Sequence, residues 1–531
     1  MIKKFLSFCL SFFIFSLCFN VDAFCGEDIF LLVNENQIKP LQQLIKQGED
    51  VNKRDRDGST PLMYASSKGN IAIMQLLIKN RANVNDRNND GNTPLIFSVS
   101  SGNVEAVKLL VKNKADIELT NKNGDSALFI SILAGFPDIT DFLISQKANL
   151  NTFNNKGLSP LMAAAMRKDL NMMQHLIKSG ALINKENKDN LTVFLMSCMF
   201  GNLDIVKYLI SVGADVNKTT KYQITPLMLC SAVGSLGTVK FLIENLKVDI
   251  NKKDADGNNA LMYSLSLSYT SEIINKIISL IDRIKDESEE EQFEFIKDAR
   301  DKNPGIPEYL VEKGININNA NKRGYNAFMI SILENDIEFA RYLISNGANI
   351  NQKDFDGNNA LMLSIKSCNF NAFRFLTNFG MDINITNNEE QTPLVYSLEA
   401  GNFDMVNEIL SMSNLNVNKT DKKGKNQLMY AASCGSLIAI RKLIKSGVNV
   451  NAKDKEGNTA LMYAVMSGNI AIVKALVGLD ADITIKNKKE QTAQDIAKVY
   501  GNDPEYVEID EYLDHLNKTS SKNNNKSSKK K

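Results

Sequence analysis

The sequence predicts an all-α repeat solenoid built from small helix–turn–helix units with β-turn or hairpin tips, and three observations carry that prediction. The first is a glycine on a fixed beat: Gly58, Gly91, Gly124 and Gly157 follow one another at intervals of 33 residues. Asn190 and Gln223 keep the beat without glycine. It resumes at Gly257, skips one period to Gly324, and continues through Gly357, Gly424 and Gly457. The second is a pair of short apolar stripes inside each period. The third is an exit motif in which an aliphatic residue lies between Asn or Asp and Asn. A fixed period of roughly 20–50 residues marks stacked units that share a continuous core stripe. Such a stack offers a long surface and not a deep cavity.

Residues 55–88 show the elements in order. Gly58 sits in a turn where positive φ is easiest for glycine. Thr60 and Pro61 start a helix, the hydroxyl capping a free backbone N–H and the ring fitting the first helical position. Leu62, Met63, Ala65 and Ser66 give that helix a small-residue face, and Gly69-Asn70 breaks it. Ile73, Leu76, Leu77 and Ile78 form the apolar face of a second helix. The extended stretch Ala82-Asn83-Val84-Asn85 then leads to the next turn.

The exit is the most regular marker. It reads Asp50-Val51-Asn52, Asn149-Leu150-Asn151, Asp215-Val216-Asn217, Asp249-Ile250-Asn251, Asn316-Ile317-Asn318, Asn349-Ile350-Asn351, Asp382-Ile383-Asn384, Asn416-Val417-Asn418 and Asn449-Val450-Asn451. The aliphatic residue is expected to point inward. The flanking amides are expected to bond the turning backbone and to tolerate left-handed geometry.

Turn, T-P-L helix, G-N break, L-L-I helix and A-D-V-N exit together resemble the ankyrin repeat. Thr60-Pro61-Leu62-Met63, Thr93-Pro94-Leu95-Ile96, Ser159-Pro160-Leu161-Met162, Thr225-Pro226-Leu227-Met228 and Thr392-Pro393-Leu394-Val395 follow its T-P-L-H signature, with an apolar residue in place of His. The resemblance covers about residues 27–516. It implies a binding module whose partners meet the turn tips and the exposed side of the first helices, the concave face. It also implies that packing replaces the hydrogen bond the signature His makes between repeats.

The chain divides by sequence as follows. Residues 1–23 read as a secretory signal peptide: Lys3 and Lys4, an apolar run from Phe5 to Phe19, and small side chains at Val21 and Ala23. The alternative is an uncleaved N-terminal anchor, but the run is short for a membrane span. Residues 24–54 read as a partial capping repeat, 55–288 and 322–488 as repeats, and 489–516 as a closing repeat with a polar outer face. Between them 289–321, with the weak stretch 283–308, reads as one degenerate repeat. An insertion is the alternative. Residues 517–531 read as a disordered basic tail.

Composition narrows function. The net charge is +1 over 531 residues, which gives no global signal for nucleic acid. No later segment has the unbroken apolar length of a membrane helix, so no integral span is expected after signal cleavage, and a monomer is expected. Of the seven cysteines, Cys9 and Cys18 lie in the signal. Cys25, Cys198, Cys230, Cys368 and Cys434 show no metal or redox spacing and read as small apolar fillers with free thiols. The two histidines, His175 and His515, have no nearby catalytic partners in the sequence, and aspartate-rich turns such as Asp254–Gly257 lack the terminal Glu of a calcium loop. No catalytic residue, metal or cofactor is implied, so the chain is expected not to be an enzyme.

The candidate site is an apolar run at positions that are polar elsewhere. The residue after the turn is Ser59, Asn92 and Asp125 early, but Leu158, Leu191 and Ile224 in three consecutive repeats. The far end of the first helix carries Leu133, Met166, Met199, Phe200 and Val233. An exposed apolar run would be a protein-binding patch. The alternative is that these side chains pack on one another. The acid run Asp286–Glu294 and the lysines from Lys518 onward read as contacts for a basic partner and an anionic surface, or as solvated segments. The leading expectation is a non-catalytic scaffold binding an unidentified protein partner on the concave face, exported to the periplasm or outside the cell. The signal style and the Lys/Asn/Ile-rich composition read as bacterial. The rivals are a secreted effector that binds host proteins, and an enzyme activity within 283–308.

Overall fold

Each repeat begins with a left-handed turn and a capped helix. The beat glycines take positive φ, and so do the residues that replace them: Asn190 (φ 56°), Gln223 (φ 60°), Glu390 (φ 62°) and Glu490 (φ 56°). The turn geometry therefore belongs to the repeat and not to glycine. The next step is the cap. Thr93 Oγ1 accepts from Ile96 N (3.2 Å), and Thr225 Oγ1 from Met228 N (3.2 Å). Thr60 differs from the expectation, because its hydroxyl bonds no partner. Met63 Sδ instead accepts from the Thr60 N–H (3.4 Å), as Met228 Sδ does from the Thr225 N–H (3.4 Å). The apolar residues in the signature His position are buried.

The structure is a computed structural model that describes residues 28–265, 305–501 and 503–527. Among these the secondary structure is helical, with isolated β-bridges at two tips, Thr120–Ser126 and Thr420–Asn426. Each of its two units is an all-α stack of helix–turn–helix repeats. The N-terminal unit comprises 28–255 with 305–306, and the C-terminal unit 256–265 with 307–527. In each, first helices such as Pro61–Lys68 and Pro94–Ser100 stack on one another, and second helices such as Ile71–Lys79 pack behind them. The core is the stripe between the two rows: Leu62, Met63, Ile73, Met74 and Leu77 are almost fully buried in one repeat, and Leu461, Met462, Ile472, Val473 and Leu476 in another.

Polar bonds stitch the tips and exits. Successive tips are joined by a backbone bond, as from Lys122 N to Asp90 O (2.7 Å) and from Lys455 N to Lys423 O (2.9 Å). At the exits the first Asn or Asp closes its own turn, Asp50 Oδ1 accepting from Asn52 N (2.9 Å). The second reaches the next repeat: Asn52 Oδ1 accepts from Asn83 N (2.8 Å) and its Nδ2 donates to Arg81 O (3.3 Å). Asn85, Asn151, Asn184, Asn318, Asn384 and Asn451 repeat this bridge. Each such bond is worth about 1 kcal/mol net. Two expectations change. The exit amides do not use left-handed backbone. The aliphatic residue is buried at Val51, Leu150 and Ile383 but half-buried at Val84, Val216 and Ile317.

The 67-residue gap between Gly257 and Gly324 also differs from the expected degenerate repeat. Lys322 N donates to Asp256 O (2.8 Å), the bond that neighbouring tips make, and the helix Ala260–Leu265 packs directly on Ala327–Leu333. Gly257 and Gly324 therefore mark adjacent repeats. The helix Ile306–Glu312 leads into the exit Asn316-Ile317-Asn318 that precedes the tip at Gly324. Residues 266–304 lie outside the described residues. So do the signal segment 1–23, the acid run Asp286–Glu294, and Cys25. At the other end, the helix Pro504–Ser527 runs through part of the expected disordered tail.

Candidate functional site

Six residues past each turn residue, the first helix directs one side chain toward its own tip. Where that residue is tyrosine, its hydroxyl ties helix to tip. Tyr64 donates to Asp55 Oδ2, Tyr430 to Asp421 Oδ2 and Tyr463 to Asp454 Oδ2, each at 2.7 Å, while Tyr396 accepts from Asn387 Nδ2 (3.3 Å). The second carboxylate oxygen holds the tip: Asp421 Oδ1 accepts from Lys423 N and Lys425 N, both at 2.8 Å. Burial, followed by the aspartate bond, pushes the Tyr463 hydroxyl well above its ordinary pKa. Burial does the same for Tyr430, where the Gln391 bond works the other way and the Asp421 bond adds to the rise.

Tyr396, Tyr430 and Tyr463 occupy this place in three consecutive repeats of the C-terminal unit, and the residue after each turn reaches the next tyrosine. Gln391 Nε2 donates to Tyr430 Oη (3.3 Å). Lys425 goes further. Its Nζ lies 3.9 Å from the centre of the Tyr430 ring and 4.3 Å from that of Tyr463. A cation over an aromatic face is attracted by the ring quadrupole. Half-buried there, Lys425 has its pKa lowered by loss of hydration, opposed by nearby Cys434, Glu399, Asp421 and Asp454. None of these acids forms an ion pair with it among the described residues. Glu399 stands exposed at the end of the helix Pro393–Glu399. The result is a stripe of aromatic rings, Tyr430 buried (6 % exposed) and Tyr396 and Tyr463 half-buried, with one cation held between two of them.

The family comparison agrees with this geometry. Residues 29–121, 107–189, 161–254, 194–287, 352–421 and 402–487 match the family described as "Ankyrin repeats (3 copies)", and 310–364 match "Ankyrin repeats (many copies)". The chain belongs to the ankyrin-repeat family. No curated protein matches the chain. Ankyrin repeats are generally protein–protein interaction scaffolds and typically non-catalytic.

The expected apolar patch of this ankyrin chain is not an exposed surface. Leu158 (3 % exposed), Leu191 (2 %), Ile224 (0 %), Met199 (1 %) and Val233 (4 %) are buried, and Leu133, Met166 and Phe200 are half-buried. The physical reason lies in the slot. An aliphatic side chain after the turn gains by leaving water, and the neighbouring first-helix residues Ala163, Met196 and Leu229 are buried too. At the equivalent places the C-terminal unit carries half-buried Tyr396, Tyr463 and Lys425 and buried Tyr430. Sequence reasoning missed that stripe, although a signal exists: aspartate and tyrosine nine residues apart recur at Asp55/Tyr64, Asp421/Tyr430 and Asp454/Tyr463.

The remaining candidates fall apart in space. His175 is half-buried, with Nε2 3.0 Å from Asp141 Oδ1. Cys198 and Cys230 are buried fillers on neighbouring first helices, the Cys230 thiol donating to Cys198 O (3.7 Å). Cys368 and Cys434 are exposed, unlike the filler expectation. No helix among the described residues is long and apolar enough to cross a membrane.

Proposed function

We propose that the protein is a non-catalytic scaffold that binds a protein partner on its concave face, centred on Tyr396, Lys425, Tyr430 and Tyr463 in the C-terminal unit. The observation that carries this reading is Lys425, held between two tyrosine rings. Rigid tyrosines are enriched at interface centres. The half-buried Leu133, Met166 and Phe200 add only a minor apolar edge in the other unit. The basic, apolar and small-residue pattern of residues 1–23 supports export, to the periplasm or beyond the cell. The test is a photo-crosslinking residue placed at Glu399, on this face, or at Ile438, 54 % exposed on a second helix. One partner crosslinking from position 399 and not from 438 is expected. Crosslinks only from 438 would place the interface on the outer row and overturn the reading.

A further inference from the structure

The charges around the tyrosine stripe say what kind of partner it fits. Lys422, Lys423, Lys455, Lys488 and Lys489 stand exposed at three consecutive tips beside Lys425. Lys422 lies 3.8 Å from Glu389, but Lys423, Lys455, Lys488 and Lys489 make no ion pair among the described residues. The aspartates of the first two tips, Asp421 and Asp454, are buried and occupied by tyrosine hydroxyls and tip N–H groups. They offer little negative charge to solvent. Glu456 and Glu490 stand exposed among these three tips and are outnumbered by lysine there; exposed Glu389 and Glu390 lie on the preceding tip, and Glu399 is the acid at the stripe itself. The surface therefore presents lysine at its rim and, at its centre, an ammonium group that rings flank and no carboxylate pairs.

Resting on the binding function proposed above, we infer that this face of the C-terminal unit recognises an acidic, extended protein segment. One partner carboxylate seats on Lys425 Nζ between Tyr430 and Tyr463, and further acids run along the lysine tips. Lys425 has already given up part of its hydration, so a carboxylate arriving there meets a charge with little water to displace. The rim lysines, by contrast, speed encounter and lose their pull in salt. A basic segment would face the same lysines as like charges.

The experiment uses the mature chain and a fluorescein-labelled peptide of alternating Glu and Gly, with a Lys–Gly peptide as its opposite, read by anisotropy across a salt series. The Glu peptide is expected to bind and the Lys peptide not to. Lys425→Gln is expected to weaken binding about tenfold. The joint change of Lys422, Lys423, Lys488 and Lys489 to Ser should weaken it and flatten its salt dependence. Circular dichroism on each variant separates lost binding from lost folding. Equal binding of both peptides, or full binding by Lys425→Gln, overturns the inference. Binding that emerges only once Asp286–Glu294 are deleted also overturns it, since the occupant would then be the chain's own acid run. Partner crosslinking at Glu399 without Glu-peptide binding would sink the acidic preference and leave the scaffold reading standing.

Discussion

The repeats that carry Leu158, Leu191 and Ile224 and those that carry Gln391, Lys425 and Asn458 are the same device with different contents. Both sets have a left-handed turn, a capped first helix and an apolar second helix. In the first set the residue after the turn is buried and the first helix offers Ala163, Met196 and Leu229. In the second, Lys425 is half-buried and Tyr396, Tyr430 and Tyr463 stand in the equivalent places. The backbone tolerates either filling because the tip is held by its own hydrogen bonds. What changes is the chemistry of the filling, aliphatic in the first set and, in the second, half-buried Tyr396, Tyr463 and Lys425 around a buried Tyr430.

The largest effect should come from exchanging the fillings. Ile224→Asp puts a charge where exposure is 0 %, and a cost of about 3 kcal/mol or more is expected, seen as a lower urea midpoint for the N-terminal unit. Lys425→Leu, filling the half-open slot with an apolar side chain, should change stability by less than about 1 kcal/mol. Equal losses from the two would show that the slots are not comparable. A middle-sized effect concerns the shared backbone. Gln223→Gly and Glu390→Gly relieve positive φ in one unit each, and each should stabilise by about 1 kcal/mol. A gain at only one site would mean that the two tips are held differently.

The smallest effect is a pH dependence confined to the second set. The Tyr430 and Tyr463 hydroxyls have folded pKa values raised by burial. Their contribution is complete below the unfolded tyrosine value of about 10 and is lost as pH rises through the folded values. Hydrogen exchange in Ala460–Met466 should therefore accelerate above about pH 10 more than in Val193–Met199, which lacks tyrosine. Lys425, whose folded pKa is lowered, acts with the opposite sign and over a lower window, below the unfolded lysine value of about 10.4. The difference between wild type and Tyr463→Phe isolates the tyrosine share. No difference between the two helices would remove the hydroxyls from the account.

Where sequence reasoning worked, the cause was local. The turn residues, the Thr-Pro starts and the Leu-Leu-Ile stripes act within a few residues, so periodicity exposes them. It failed where two repeats meet. Gly257 and Gly324 lie two periods apart, and counting alone made a missing repeat of the interval. Only the bond from Lys322 N to Asp256 O identifies the two tips as neighbours. The apolar patch failed for a related reason. Hydrophobicity at Leu158, Leu191 and Ile224 marks a side chain that avoids water, and both an exposed docking patch and a private core satisfy that description.

By itself, the order of residues determined the repeat, its two helices, its turns and its family, because each is set by short-range sterics and by apolar spacing along one chain. The tertiary structure decided which turns are neighbours, which apolar side chains vanish from the surface, and that Lys425 lies between tyrosines of two different repeats. Those outcomes depend on what the adjacent repeat places a few ångströms away, and Lys425 and Tyr463, 38 positions apart in the sequence, carry no mark of that contact until the stack forms.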